Sequence, residues 1–336
     1  MIDLNRSGIS HPRAVFRAAG GWLAAVRYTV QMTLEQQELR ALDAKLKVIL
    51  PLEYQACYED VQPVPMRSAG LKYDASGRVA WDEIWQSFCD LAMAGGPPHK
   101  GRLLEPAGRA EIEAEPQRYR EVAGEICRGI RMVSCQVAAE PSPDPGWVRV
   151  MCPTRIMAGW LVRAIVMENV SARLKGSTVE LPAGPRFRLE KEIKNVVTVT
   201  AKTCHYFEGH LEPRQQLKIG AIFAEADARW PLLQPDPAAA AEAWKTRTAA
   251  KLREATGLCA GGEQYRGWLG VETGNAAAAI WMMRALMPDN VLARREGTVL
   301  YVPANPAADP EGDVVLEAVR KVHRLAGVRG ILRKDA

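Results

Sequence analysis

Apolar and polar positions in the middle of the chain alternate first with the period of a strand and then with that of a helix. WVRVMC is predicted to form a strand, and the apolar run after it a long helix. Asn169 is well placed to end that helix, because Asn tolerates the left-handed conformation common after helices. Alternating residues around Lys175-Gly176 predict a hairpin. The predicted elements are a leading helix (117–132), a strand (147–152), a long helix (154–168), the hairpin and a closing helix (190–203).

The same plan recurs 121 residues later, where WLGVET precedes a second apolar helix, Asn290 and a turn at Glu296-Gly297. Residues 146–184 align with 267–305 without a gap, and 14 of the 39 positions are identical. That number of identities is too large for a shared propensity alone, and it predicts an internal duplication. The corresponding helices are 238–254, 275–287 and 311–325.

These patterns predict an α+β fold of two tandem β-α-β-β-α units, each with a leading helix and a small sheet covered by helices on one face. Residues 115–204 are called the first segment here, and residues 236–330 the second segment. The other predicted parts are an N-terminal helical extension (1–44), a mixed α/β region (45–114) and a connector (205–235).

The mixed region has no clear partner in the second half of the chain. KVILPLEY is predicted to form a strand broken by Pro51, and residues 78–94 an amphipathic helix that ends at the GGPPHKG loop. GRLLEP at 101–106 has a weak sequence similarity to WPLLQP at 230–235, so the duplication could extend beyond the aligned part.

Composition narrows the class of protein only modestly. The chain has 336 residues, 48% hydrophobic and 25% charged, which is typical of a folded globular protein. A net charge of +5 permits an anionic partner without requiring one. With no apolar run long enough to span a membrane and no signal-peptide pattern, a cytoplasmic location and no membrane partner are expected. Seven cysteines without regular spacing favour reduced thiols. No motif identifies a cofactor, an oligomeric state or an enzymatic reaction.

Cys152 is the first candidate for chemistry. It lies where a predicted strand meets a helix, and the positive end of a helix dipole can lower a thiol pKa and make the thiol nucleophilic. We therefore expect Cys152 to be partly accessible, with a pKa below the usual value. The alternative is a thiol that packs at the start of the helix, and the second segment has Thr273-Gly274 at the same place.

The GGPPHKG loop is the second candidate. Glycines allow a backbone to approach a ligand closely, and nearby cations neutralise a phosphate or carboxylate. His99 is a candidate catalytic residue here, and Lys100 and Arg102 are candidate ligand-binding residues. The loop matches no phosphate-binding motif, so an ordinary rigid connection is the alternative.

CHYFEGH, at residues 204–210, is the densest cluster of metal-ligand types. Cys204, His205 and His210 could converge on a metal ion only if the segment bends, which Gly209 would allow. A polar helix end that runs into a linker is the alternative interpretation.

Arginines retained in both segments complete the candidates, namely Arg163 with Arg284 and Arg173 with Arg294. Trp160 and Arg163 lie three apart on one helix, where a guanidinium can rest on an indole, although both could be scaffold.

Three functions are consistent with the arginines. The first is binding of, or action on, a small anionic ligand in the cleft between the repeats. The second is nucleic-acid binding by a basic face that also includes Lys175 and Arg295, and the third is a protein-interaction scaffold. Unpaired Arg173 and Arg294 facing a cleft would favour the ligand, whereas pairing with carboxylates of their own segments would favour the scaffold.

Overall fold

The computed structural model describes residues 32–51, 70–86, 101–134, 137–236 and 241–332. From Leu34 onward the chain forms one compact unit, and its helices and small antiparallel sheets make an α+β fold. The GGPPHK part of the predicted loop lies outside the described residues, as does most of the N-terminal extension.

Helices make up most of the described structure. They are α1 (Leu34–Ile49), α2 (Arg109–Ala114), α3 (Pro116–Val133), α4 (Arg155–Met167), α5 (Lys194–His205), α6 (Pro213–Asp227), α7 (Glu242–Thr256), α8 (Ala276–Ala285) and α9 (Asp313–Arg329). A short helix also covers residues 81–86, and π-helical turns at Leu189–Ile193 and Tyr206–His210 flank α5.

Two antiparallel sheets lie in the two segments. The strands are β1 (Ala138–Pro141), β2 (Trp147–Met151), β3 (Arg173–Lys175), β4 (Thr178–Pro182), β5 (Trp268–Glu272), β6 (Arg294–Glu296) and β7 (Val299–Pro303). The first sheet has the order β1-β2-β4-β3 and the second β5-β7-β6. Trp147 pairs with Pro182 in the first sheet, and Trp268 pairs with Pro303 in the second.

Side-chain caps explain where α4 and α8 begin. The Thr154 hydroxyl accepts a hydrogen bond from the Met157 amide, 3.1 Å away, and the Asn275 side chain accepts one from the Ala278 amide, 2.9 Å away. Each cap satisfies an amide that has no partner within the first turn of a helix.

Asn169 and Asn290 adopt left-handed backbone conformations, with φ of 57° and 56°. Asn169 follows the end of α4, and Asn290 follows a 3-10 turn, Met287–Asp289, after α8. The predicted role of both residues at the ends of the helical runs is confirmed.

Helix α1 links two hydrophobic cores. Its Leu42 and Leu46 pack in the core of the second segment, whereas Ile49 packs in the core of the first. The buried Trp160 indole donates to the Ile49 carbonyl, 2.9 Å away, and so fixes the end of α1 against α4.

Three parts of the fold differ from the sequence prediction. Residues 47–49 continue α1 instead of forming a strand, because the apolar side chains of LKVI lie on the buried face of an existing helix. The connector contains the 15-residue helix α6, whose buried face includes Ile219, Phe223 and Ala226. The first sheet also gains an edge strand, β1, which pairs with β2.

Candidate functional site

A pocket of about 420 Å³ lies between α4 and α6. We call it the α4–α6 pocket. Hairpin β3–β4 and the extended residues 231–234 form its other walls. Its size is within the range of small-molecule sites. Its lining includes the side chains of Arg155, Ile156, Arg163, Leu174, Phe223 and Asp227.

The side chain of Gln234 holds the extended wall against the hairpin. Its amide oxygen accepts from the Leu174 amide at 2.5 Å, and its amide nitrogen donates to the Leu174 carbonyl at 3.2 Å. This side chain therefore makes both hydrogen bonds that a neighbouring strand would make to β3 at this residue.

Arg163 lies at the inner end of the pocket and is 3% exposed. Its Nη1 donates to the Gly159 carbonyl at 2.6 Å, and its Nη2 donates to Oδ1 of Asn290. The guanidinium carbon lies 3.9 Å from the centroid of the Phe223 ring. Nε is buried and has no hydrogen-bond partner among the described residues.

Arg163 forms no ion pair with a carboxylate in the described ranges, since both of its hydrogen-bond acceptors are neutral. Burial lowers its pKa to about 9, and the negative charge of Asp227 opposes this shift. The guanidinium is thus charged at neutral pH. A buried cation without a paired anion is costly, because water no longer solvates it.

Asn290 connects Arg163 to the rest of the pocket from the second segment. Its Nδ2 donates to Oδ1 of Asp227 at 2.7 Å and to the Trp230 carbonyl at 3.1 Å. Asp227 also accepts from Arg155 at 3.2 Å, across the more exposed side of the pocket. A polar chain therefore runs from Arg155 through Asp227 and Asn290 to Arg163.

Arg173, in contrast, is paired within the first segment. It binds Glu180 and Asp144, both at 2.5 Å, and Lys175 contacts the same two carboxylates. Burial alone would raise the pKa of Glu180, but hydrogen bonds from Ser142, Lys175 and Arg173 outweigh burial and lower this pKa.

Arg294 is also paired within its own segment. Its Nη1 binds Glu296 at 2.6 Å, and its guanidinium lies 3.9 Å from the centroid of Tyr301 and 4.3 Å from that of Tyr265. Nη1 also donates to Asn169 across the segment boundary, at 3.1 Å. Two unpaired arginines facing each other across a cleft are therefore not observed.

The arginines proposed as a basic face are mostly buried. Arg163, Arg284, Arg294 and Arg295 are all less than a tenth exposed. They do not present the continuous basic surface that the nucleic-acid hypothesis requires.

The stacking of Arg163 differs from the sequence prediction, which placed its guanidinium on Trp160. The guanidinium lies on the Phe223 ring instead, because the Trp160 side chain packs against Phe207 and donates to the Ile49 carbonyl.

Cys152 lies at the expected junction, directly after β2 and three residues before the first residue of α4, but it is only 7% exposed. Burial, together with the negative charge of the nearby Glu208, raises the pKa of its thiol to about 12. The expected accessible thiol with a lowered pKa is thus corrected, because desolvation outweighs the helix dipole here.

The predicted metal ligands come together only in part. His205 and His210 approach to 3.2 Å between their Nε2 atoms, because the π-helical turn after α5 brings residues five apart onto one face. Cys204 is buried in the core of the first segment. Within the described ranges, no group of three or more His, Cys, Asp or Glu side chains could hold a metal ion.

In the GGPPHKG region the structure describes only the end of the predicted site. Arg102 is exposed and binds Glu263 at 2.6 Å, whereas His99 and Lys100 lie outside the described residues.

Sequence reasoning missed Asp227 and the polar role of Asn290. Asn290 carried a signal, since it is retained in both segments, but that signal was assigned to helix termination alone. Asp227 carried none, because it lies in the unmatched connector.

Comparison with known protein families, curated proteins and solved structures finds no match to this chain. No helix among the described residues is long and apolar enough to cross a membrane.

Proposed function

We propose that this protein binds a small anionic ligand in the α4–α6 pocket, with Arg163 as the principal cation. One observation carries the proposal: Arg163 is a buried guanidinium at a pocket, and its hydrogen-bond acceptors are neutral. A bound anion would offset the desolvation cost of that charge.

The α4–α6 pocket replaces the cleft between Arg173 and Arg294 as the expected ligand site. Both of those arginines already have carboxylate partners, so a ligand between them has lost its main support. The α4–α6 pocket still depends on both segments, because Asn290 of the second segment holds Arg163 of the first.

A protein-interaction scaffold is the second candidate, and the carboxylate pairing of Arg173 and Arg294 favours it. A scaffold needs an exposed surface for its partner. The large apolar side chains exposed in the described ranges lie on four different parts of the chain: Leu34, Tyr73, Met132 and Leu217. These scattered side chains support a protein-interaction surface less strongly than the pocket supports a ligand site.

We also infer that the two segments arose by duplication. Their three matching strands begin and end at positions 121 residues apart, as do the capping residues Thr154 and Asn275. In both sheets a retained arginine lies over a retained tryptophan, Arg173 over Trp147 and Arg294 over Trp268.

The weak sequence similarity between residues 101–106 and 230–235 supports a longer duplicated unit. Leu104 forms a parallel bridge with Val170, and Leu233 forms one with Val291. These two bridges place the two similar stretches beside equivalent residues of the two segments. The local propensity of either stretch does not require this placement.

The ligand proposal is tested with two anionic probes, hexanoate and hexyl phosphate, and with 1-hexanol as a neutral probe of similar length. Binding is measured by ligand-observed NMR at low salt, which preserves electrostatic contributions. We expect at least one anion to bind the protein, and Arg163→Met to weaken that binding at least about tenfold, since a hydrogen bond to a charged group contributes about 1.5–3 kcal/mol.

Arg188→Gln is the matched control. It removes one positive charge from a side chain that pairs with Glu192 and lies outside the pocket. This variant should bind the probes as the unmodified protein does. Absence of binding by both anions, or equal binding by the Arg163→Met variant, would favour the scaffold.

A further inference from the structure

Resting on the proposed function, we propose that the α4–α6 pocket selects an organic monocarboxylate with an apolar body, and discriminates against phosphate esters. The arrangement of charges, hydrogen-bond donors and apolar walls around Arg163 carries this inference.

The charges at the pocket sum to one positive charge. Arg155 and Asp227 form an ion pair at its more exposed side, and no carboxylate of the described residues contacts the guanidinium of Arg163 directly. A monoanion would balance this charge. The second negative charge of a phosphate ester would meet the carboxylate of Asp227, and like charges at short range repel.

The donors of Arg163 favour a small planar acceptor. Nη1 and Nη2 each already donate one hydrogen bond, to Gly159 and to Asn290, whereas Nε has no acceptor in the described part of the chain. A guanidinium has five N–H donors and two are used here, so three remain for a ligand: the one on Nε and one each on Nη1 and Nη2. Two adjacent donors match the two oxygens of a carboxylate.

The walls of the pocket fit an apolar ligand body. Ile156 of α4, Leu174 of β3 and Phe223 of α6 line it, together with Pro231 and Leu232 of the extended wall. A bare inorganic anion would leave these apolar side chains uncovered. Burial of ligand methylenes against them contributes to affinity in proportion to the area removed from water.

The test uses the full chain and compares four probes: hexanoate, acetate, hexyl phosphate and inorganic phosphate. At pH 8 a phosphate monoester is a dianion, because its second pKa is about 6. We expect hexanoate to bind at least about tenfold more tightly than hexyl phosphate, and more than about tenfold more tightly than acetate, which lacks the apolar body.

Asp227→Asn supplies the decisive variant, because it keeps the shape of the side chain and removes the negative charge. We expect this variant to lower the ratio of the hexanoate affinity to the hexyl phosphate affinity, or to reverse it. Ala224→Phe is a second variant that leaves all the charges in place. Ala224 lines the pocket from an exposed position on α6, so the larger side chain should obstruct binding without disturbing the core.

The outcomes separate this inference from the proposed function. If hexyl phosphate binds as tightly as hexanoate, and binding still depends on Arg163, the ligand class is wrong and the anion site stands. An unchanged preference in the Asp227→Asn variant overturns the role given to Asp227. If no anionic probe binds, both the function and the inference fail.

Discussion

Replacement of Asn290 tests the polar chain that joins the two segments. Asn290 is fully buried, and its side chain accepts from Arg163 and donates to Asp227 and to the Trp230 carbonyl. Its backbone is left-handed, with φ of 56°. Asn290→Ala removes all three hydrogen bonds and places a non-polar residue in a conformation that it adopts poorly.

The expected loss of stability follows from these contacts. Hydrogen bonds to charged groups contribute about 1.5–3 kcal/mol each, and a left-handed backbone costs an ordinary residue about 1–2 kcal/mol. Because such terms are not fully additive, we expect Asn290→Ala to lower the free energy of unfolding by about 4 kcal/mol. The assay is equilibrium unfolding in urea, followed by tryptophan fluorescence and far-UV circular dichroism.

Two further variants separate the causes. Asn290→Gly also removes the side chain but tolerates the left-handed conformation, so it should be about 1 kcal/mol more stable than Asn290→Ala. Asn169→Ala is the matched change in the first segment. There Arg294 loses its bond to Asn169 but keeps Glu296, so we expect a smaller loss, about 3 kcal/mol.

A loss below about 1 kcal/mol for Asn290→Ala would refute the idea that this amide supports the buried Arg163. Equal stability of the alanine and glycine variants would show that the backbone conformation carries no cost. If Asn169→Ala is the more destabilising change, the absence of a carboxylate at Arg163 is not what makes Asn290 important.

Two more predictions concern the cysteines and one glycine. At pH 8 iodoacetamide should label the exposed Cys259 much faster than Cys152, because Cys152 is buried and its pKa of about 12 leaves almost no thiolate. Peptide mass spectrometry measures the two labelling rates, and faster labelling of Cys152 would contradict its burial. Gly270→Ala should destabilise the second sheet by about 2 kcal/mol or more, because the added Cβ would lie 2.1 Å from the Gly261 carbonyl oxygen. Gly124→Ala is the control, since a Cβ there meets nothing within 4 Å and alanine favours helix α3; an equal fall in the melting temperature of both variants would contradict the steric argument.

The sequence by itself determined the local structure of the two segments. Alternating apolar residues defined β2 and β5, and helical periodicity defined α4 and α8 to within a few residues. Asn169 and Asn290 ended their helical runs because a left-handed backbone is a local preference of that residue type. Properties of this kind depend on neighbours in the chain, so they can be predicted from it.

The tertiary structure alone decided the environment of each candidate side chain. The position of Cys152 before a helix was predictable, but its desolvation depends on packing from distant parts of the chain. Likewise, Arg173 finds Asp144 and Glu180 in its own segment, whereas Arg163 reaches Asn290, 127 residues away. Burial and charge pairing depend on which elements meet in space, so the sequence predicted the arginines as candidates and only the fold distinguished Arg163 from the others.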